Sequence, residues 1–177
     1  MKIGLVRHFK VKKDYPANRL VSTDEVMQWF KEYDEAQVEK GQTDLAGIEW
    51  SRCFSSDLSR ALFTAKTIYD GQVDSFPELR EIPAPRFKLR MKLPFLWWAI
   101  LIRVSWIANR QTRLDLKHAE TRVKLFLDEV VFQSQENVLI VSHAGLMMSM
   151  RKELMRRGFH GPRYKIPDNG KLYVFEK

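Results

Sequence analysis

Short continuous apolar runs alternate along this chain with stretches in which apolar residues return every third or fourth position. The runs at residues 2–6, 50–55, 137–142 and 171–175 are each bounded by charge or turn residues and predict strands. Ser22-Thr23-Asp24-Glu25 has the form of a capping box, with Ser22 as N-cap, and predicts a helix to about Lys40. Leu58, Ala61, Leu62, Ala65 and Ile68 share one helical face after Ser56, which is the candidate cap there. Val123, Phe126, Leu127 and Val130 predict a helix over 119–132, and a further helix is expected over 146–156. Strands alternating with helices point to an α/β fold with a largely parallel sheet. The 177 residues fit one domain with a core of its own, and no repeat or linker divides them.

Charge changes that picture in one place. The chain carries a net +8, and between Arg86 and Lys117 eight basic residues stand against Asp115 alone, so that one segment holds +7 of it. A basic balance this local argues against a nucleic-acid-binding protein and for a region that meets phosphates or acidic lipid. The single cysteine, Cys53, lies in an apolar stretch and reads as a small buried hydrophobe, so neither a disulfide nor a cysteine metal site is expected. The apolar run before Arg7 is too short for a signal peptide, and a cytoplasmic location is expected.

Candidate chemistry enters at the strand ends. In an open parallel sheet, ligands bind beyond the carboxyl ends of the strands. Two of the clearest strands finish there in histidine: Leu5-Val6-Arg7-His8 and Ile140-Val141-Ser142-His143. One such histidine is more often structural; two at one edge suggest a site. Phosphoryl transfer without a metal needs an in-line nucleophile, cationic donors around the phosphoryl oxygens and an acid for the leaving group. His8, the arginines Arg7 and Arg60, His143 and the carboxylate Glu81 offer those parts. No metal or cofactor is expected.

Four blocks carry a resemblance. Val6-Arg7-His8, Ser55-Ser56-Asp57-Leu58-Ser59-Arg60-Ala61, Leu79-Arg80-Glu81-Ile82 and Val141-Ser142-His143-Ala144-Gly145 together resemble the histidine phosphatase superfamily, also called phosphoglycerate-mutase-like, and occur in that family's order. The resemblance implies a three-layer α/β/α sandwich and a metal-independent phosphatase acting on a phosphomonoester. It implies His8 as the nucleophile that becomes phosphohistidine, Arg7, Arg60 and His143 as the phosphate pocket, and Glu81 as proton donor to the leaving group. A hydrogen bond to the other ring nitrogen of His8 should fix its tautomer. The implied partner is a phosphorylated small molecule. Other readings are a phosphoprotein phosphatase acting on phosphohistidine, and a module that binds a phosphorylated ligand without turnover. The sequence departs from the family where Phe9 replaces the usual Gly and where Val11 and Asp14 replace Thr and Asn. Asp14 should repel phosphate unless Lys12 or Lys13 pairs with it.

Residues 83–117 form a basic and apolar insert within the one domain of residues 1–177. An apolar helix is expected over 95–107, too short before Arg103 to span a bilayer. It can be an ordinary core helix, a lid over the pocket that favours an apolar or aromatic leaving group, or an interfacial element on anionic lipid. The last ranks lowest, because it requires an exposed apolar face. His118 and His160 have no partners at metal spacing.

Overall fold

The apolar run with the least polar interruption takes the most enclosed place. β6 (Val138–Ser142) is buried at every residue and lies third in a five-stranded sheet. β1 (Lys2–Arg7) and β3 (Arg52–Ser56) flank it in parallel, β4 (Val73–Phe76) extends the sheet beyond β3, and β7 (Leu172–Glu176) closes the other edge antiparallel to β1. The computed structural model describes all residues except Ala17, Asn18, Arg86, Lys88, Leu89 and Arg90. The three basic residues among those six belong to the cationic flank of the insert and so lie outside the described residues.

Alternation along the strands makes three layers. Ile3, Leu5, Val138 and Ile140 point to one face, where they meet Val123 and Phe126 of α4 (Arg110–Phe126) and Leu146, Met147 and Met150 of α5 (Ala144–Arg156). Val6, Leu139, Val141 and Cys53 point to the other and meet Ala61 and Ala65 of α2 (Ser59–Ile68). Period-two side chains on a doubly covered sheet require both sets to be apolar, which is why these strands read as continuous runs. The expected α/β sandwich with a mostly parallel sheet is the observed fold. Burial pushes the Cys53 thiol up to about 12, in keeping with a packing role.

Several boundaries differ from expectation. α1 (Thr23–Glu35) opens with the predicted capping box at Ser22 but stops short of Lys40. Its continuation is extended instead, because Lys12 N donates to Gln37 O at 2.8 Å and Glu39 N to Lys10 O at 2.8 Å. α4 begins nine residues before the predicted 119, capped by Asn109, whose side chain accepts from Gln111 N and Thr112 N, and it runs on into a π turn at Leu127–Val131. β4 has no counterpart in the sequence reading, since Asp74 and Ser75 interrupt its apolar signal. It is an edge strand, where polar residues are tolerated, and Asp74 pairs with Arg52 at 3.3 Å.

A second, two-stranded sheet joins β2 (Leu20–Val21) to β5 (Leu93–Pro94) and leads into α3 (Phe95–Ala108), the helix expected in the insert. Trp98 of α3 is fully buried against Val21 and Val26, and its indole donates to Val21 O at 2.9 Å. One side of α3 is therefore core.

Candidate active site

The register of the central strands assembles the site. Arg7 of β1 pairs with Ser142 of β6, so the next residue of each chain segment, His8 and His143, leaves the sheet at the same point. His8 N donates to Ser142 O at 3.0 Å, and the two imidazole rings stand 5.1 Å apart at 57°. Both histidines are almost wholly buried.

His8 is held in one tautomer. Its Nδ1 lies 2.7 Å from Phe9 O, which as a carbonyl can only accept, so Nδ1 carries the proton and Nε2 keeps its lone pair. Burial pushes the ring from an ordinary 6.5 down to about 3; the Phe9 carbonyl pulls the other way, and the charges of Arg60 and Arg7 lower it further. His143 is pushed well below its ordinary value by burial, then by Arg60, His8 and Arg7. Its Nε2 lies 2.9 Å from Ser56 Oγ. Ser56 Oγ also accepts from Leu58 N at 3.3 Å and keeps its own hydroxyl hydrogen; in the tautomer where that hydroxyl donates to Nε2, the His143 proton lies on Nδ1. Ser56 is therefore a partner of His143, and the expected capping role falls short: α2 starts at Ser59 with Leu58 at its N-cap and no side-chain cap.

The two arginines converge from different elements. Arg60, on the first turn of α2, is 4% exposed; Asp34 of α1 accepts from its Nη1 at 2.7 Å, and its guanidinium lies 5.6 Å from the centre of the Tyr33 ring. Arg7 donates from Nη1 to Pro167 O at 3.0 Å. Tyr33 is raised by burial and partly relieved by the charges of Arg7 and Arg60. Four buried side-chain nitrogens among the described residues have no hydrogen-bond partner, and three of them are Arg7 Nε, Arg60 Nε and His143 Nδ1. Buried polar groups left unmatched cost free energy; the two guanidinium N–H groups are donors, as is His143 Nδ1 in the tautomer where Ser56 donates to Nε2, and donors match the acceptor-only oxygens of an anion.

Glu81 joins this group through α5. Its Oε2 accepts from Gly145 N at 3.1 Å, and its Oε1 from Leu146 N at 3.1 Å and Ile82 N at 3.0 Å. A carboxylate is favourable at a helix N-terminus. The approach depends on Gly145, since a Cβ there would sit 2.8 Å from Glu81 Oε1. The Glu81 turn is tied down on both sides: Arg80 grips Asp57 through two bonds of 2.7 and 2.5 Å, and Ser142 Oγ donates to Leu79 O at 2.9 Å. All five residues singled out in the sequence thus meet at the carboxyl edge of β1, β3 and β6.

The profile of the histidine phosphatase superfamily (branch 1) matches residues 30–177. The chain belongs to that superfamily. With it, the protein stands among the histidine-type phosphatases. Arg7 and His8 precede the matched stretch, so their place in the site comes from the strand register above. Solved structures of the superfamily's fold align over most of this chain. The α-ribazole phosphatase of Shigella flexneri is 18% identical with a TM-score of 0.58, covering 98% of this chain and 89% of its own. The phosphoserine phosphatase of Entamoeba histolytica is 18% identical with a TM-score of 0.55, covering 99% and 90%. A mycobacterial glucosyl-3-phosphoglycerate phosphatase is 17% identical with a TM-score of 0.50, covering 88% and 79%. A comparison with curated proteins returned no match.

The departure from the superfamily pattern at Phe9 is absorbed by packing. Phe9 is 3% exposed, its N–H donates to Thr64 Oγ1 at 2.9 Å, and its ring occupies the room left by two glycines. A Cβ on Gly41 would meet that ring at 2.8 Å, and one on Gly170, which has φ +68°, at 2.7 Å. Asp14 lies in a surface hollow with Lys13, Arg19 and Glu32, and its backbone carbonyl accepts from Trp29.

Besides Ser56, read there as a cap, four partners were given no role in the sequence reading. Asp34 and Tyr33 come from α1, which carried only a packing signal. Thr64 Oγ1 also donates to Arg60 O at 2.8 Å, linking His8's neighbour to the arginine. Asn169, in a stretch that had suggested no function, donates from Nδ2 to His8 O at 2.7 Å, while Gly170 N donates to Arg7 O at 2.8 Å.

Proposed function

We propose that this protein hydrolyses phosphomonoesters of small molecules by way of a phosphohistidine on His8. The lone pair of Nε2 attacks phosphorus, the ester P–O bond breaks, and Glu81 gives its proton to the departing oxygen. Water then attacks the phosphohistidine, Glu81 takes a proton back, the P–N bond breaks, and inorganic phosphate leaves. Arg7, Arg60 and His143 hold the phosphoryl oxygens and stabilise the charge that builds on them. The observation that carries the reading is the set of unpartnered buried nitrogens on those three residues, gathered around a histidine kept neutral. The substrate class is supported by the names of the structural relatives, whose phosphatase activities are directed at α-ribazole phosphate, phosphoserine and glucosyl-3-phosphoglycerate. We take residues 1–177 as one catalytic unit, with 83–117 as its cap, working in the cytoplasm.

The test is a brief reaction with substrate followed by acid or base. An acid-labile, base-stable phosphate on the wild type, absent in His8→Ala together with the activity, is the expected result. Full activity in His8→Ala overturns the mechanism.

One observation favours a second reading. Both oxygens of Glu81 accept backbone N–H groups, Oε1 two and Oε2 one, so the one lone pair left to carry a proton is on Oε2. A phosphohistidine substrate, whose leaving group needs less help, would suit such a site. Comparing turnover of a phosphohistidine peptide with that of alkyl phosphates separates the two.

A further inference from the structure

Of the three readings of the insert, the interfacial one demands an exposed apolar face on α3, and the face is exposed. Leu96 (71%), Ile100 (43%), Val104 (50%) and Ile107 (78%) remain open to solvent, with Trp97 (56%) beside them. At about 100° per residue these five positions fall within roughly 100° of arc. Trp98 and Ser105 point the opposite way, into the protein. Scattered exposed hydrophobes need no explanation, but five large ones on one helical stripe form a contiguous patch that marks an interaction surface.

Charge decides what it meets. α3 contains no acidic residue. Lys92 precedes it, Arg103 borders the stripe, and Arg110, Arg113 and Lys117 follow on α4, all of them exposed. Asp115 is the single acid in the segment. A second copy of the chain would bring the same cations against this rim and be repelled. A surface of anionic lipid would attract them while the stripe enters the headgroup boundary. Fourteen residues make a helix of about 21 Å, shorter than the roughly 30 Å hydrocarbon layer, so it would lie in the surface. No helix among the described residues is long and apolar enough to cross a membrane.

We infer that the exposed face of α3, with its cationic rim, docks on the surface of an anionic bilayer. The docked helix connects to the phosphate pocket through α1: Phe95 meets Trp29 at 5.1 Å, Trp29 meets Tyr33 at 5.2 Å, and Tyr33 lies under the Arg60 guanidinium. Docking on the exposed face therefore takes no residue from the pocket.

The full chain should be sedimented with vesicles of phosphatidylcholine alone and of phosphatidylcholine with phosphatidylglycerol. It should bind the second and not the first, and lose binding as salt rises. Ile100→Glu should weaken vesicle affinity by about tenfold or more while nitrophenyl phosphate hydrolysis in solution stays unchanged. Should Ile100→Glu fail to fold, Ile107→Glu, at the most exposed position of the stripe, carries the same expectation. Absence of binding to both vesicles, or equal binding by the folded variants, overturns the proposal. So does light scattering that shows a dimer which these variants convert to monomer, since the face would then belong to a second copy.

Discussion

Asp34 Oδ1 lies 2.7 Å from Nη1 of Arg60, so one edge of a buried guanidinium is already engaged by a carboxylate from α1. The Arg60 side chain is 5% exposed and that of Asp34 53%, which leaves the carboxylate partly screened by water. A phosphate dianion arriving at Arg60 meets this negative charge as a competitor. Asp34→Asn removes the charge and keeps an acceptor for Nη1. Inhibition by inorganic phosphate should then tighten by about fivefold, the equivalent of roughly 1 kcal/mol for a partly screened pair. Weaker phosphate inhibition in the variant would mean that Asp34 chiefly orients Arg60.

Glu81 is bound to backbone N–H groups of Ile82, Gly145 and Leu146, and its two conceivable roles separate on substrate. As proton donor, its replacement in Glu81→Gln should slow alkyl phosphates by on the order of a hundredfold or more while sparing nitrophenyl phosphate, whose leaving group needs little help. As a cap on α5 alone, the same change should lower Tm and slow both substrates equally. We expect the unequal loss, read from kcat/KM on the two esters.

Acid should cost this protein stability over a defined range. His8 is held at about 3 in the folded chain against an ordinary 6.5, chiefly by burial. Between those values the unfolded chain binds a proton that the folded chain refuses, so stability rises with pH there. It is complete above about 6.5 and is lost as pH falls toward 3. His143 shifts in the same direction. Denaturant midpoints from pH 7 to pH 4 should therefore fall in the wild type and fall less in His8→Asn, with a remaining slope from His143. An unchanged slope in the variant would mean that His8 is protonated in the folded chain.

Much of the site was legible because it lies at the ends of the clearest strands. Residues that finish neighbouring parallel strands emerge together, so Arg7-His8 and Ser142-His143 announced their proximity without any model of the packing. Arg60 and Glu81 were legible only as members of motifs in order. Their supports were not. Asp34 stands 26 residues from Arg60, Thr64 55 from Phe9, Ser56 87 from His143 and Asn169 161 from His8. Each reaches the site through one hydrogen bond to a residue distant in sequence, and such a bond leaves no periodicity behind. The capping box at Ser22 was legible for the opposite reason, since all of its partners lie within four residues.

The sequence by itself determined the period-two runs that make the sheet, the motif residues at its carboxyl edge and the basic insert with an apolar helix inside it. Tertiary structure decided how those parts are used. It turned Phe9 into the space beside Gly41 and Gly170, gave Ser56 to His143, and brought Asp34 to Arg60. It also chose the face of α3. Within Phe95–Ala108 only Arg103 carries charge, and Ser105 is the one other polar side chain, so hydrophobicity runs almost all the way round the helix and periodicity cannot say which side is covered. Trp98, seated against Val21 and Val26 with its indole on the Val21 carbonyl, fixes the inward side, and the Leu96–Ile107 stripe is left to solvent as the geometric consequence.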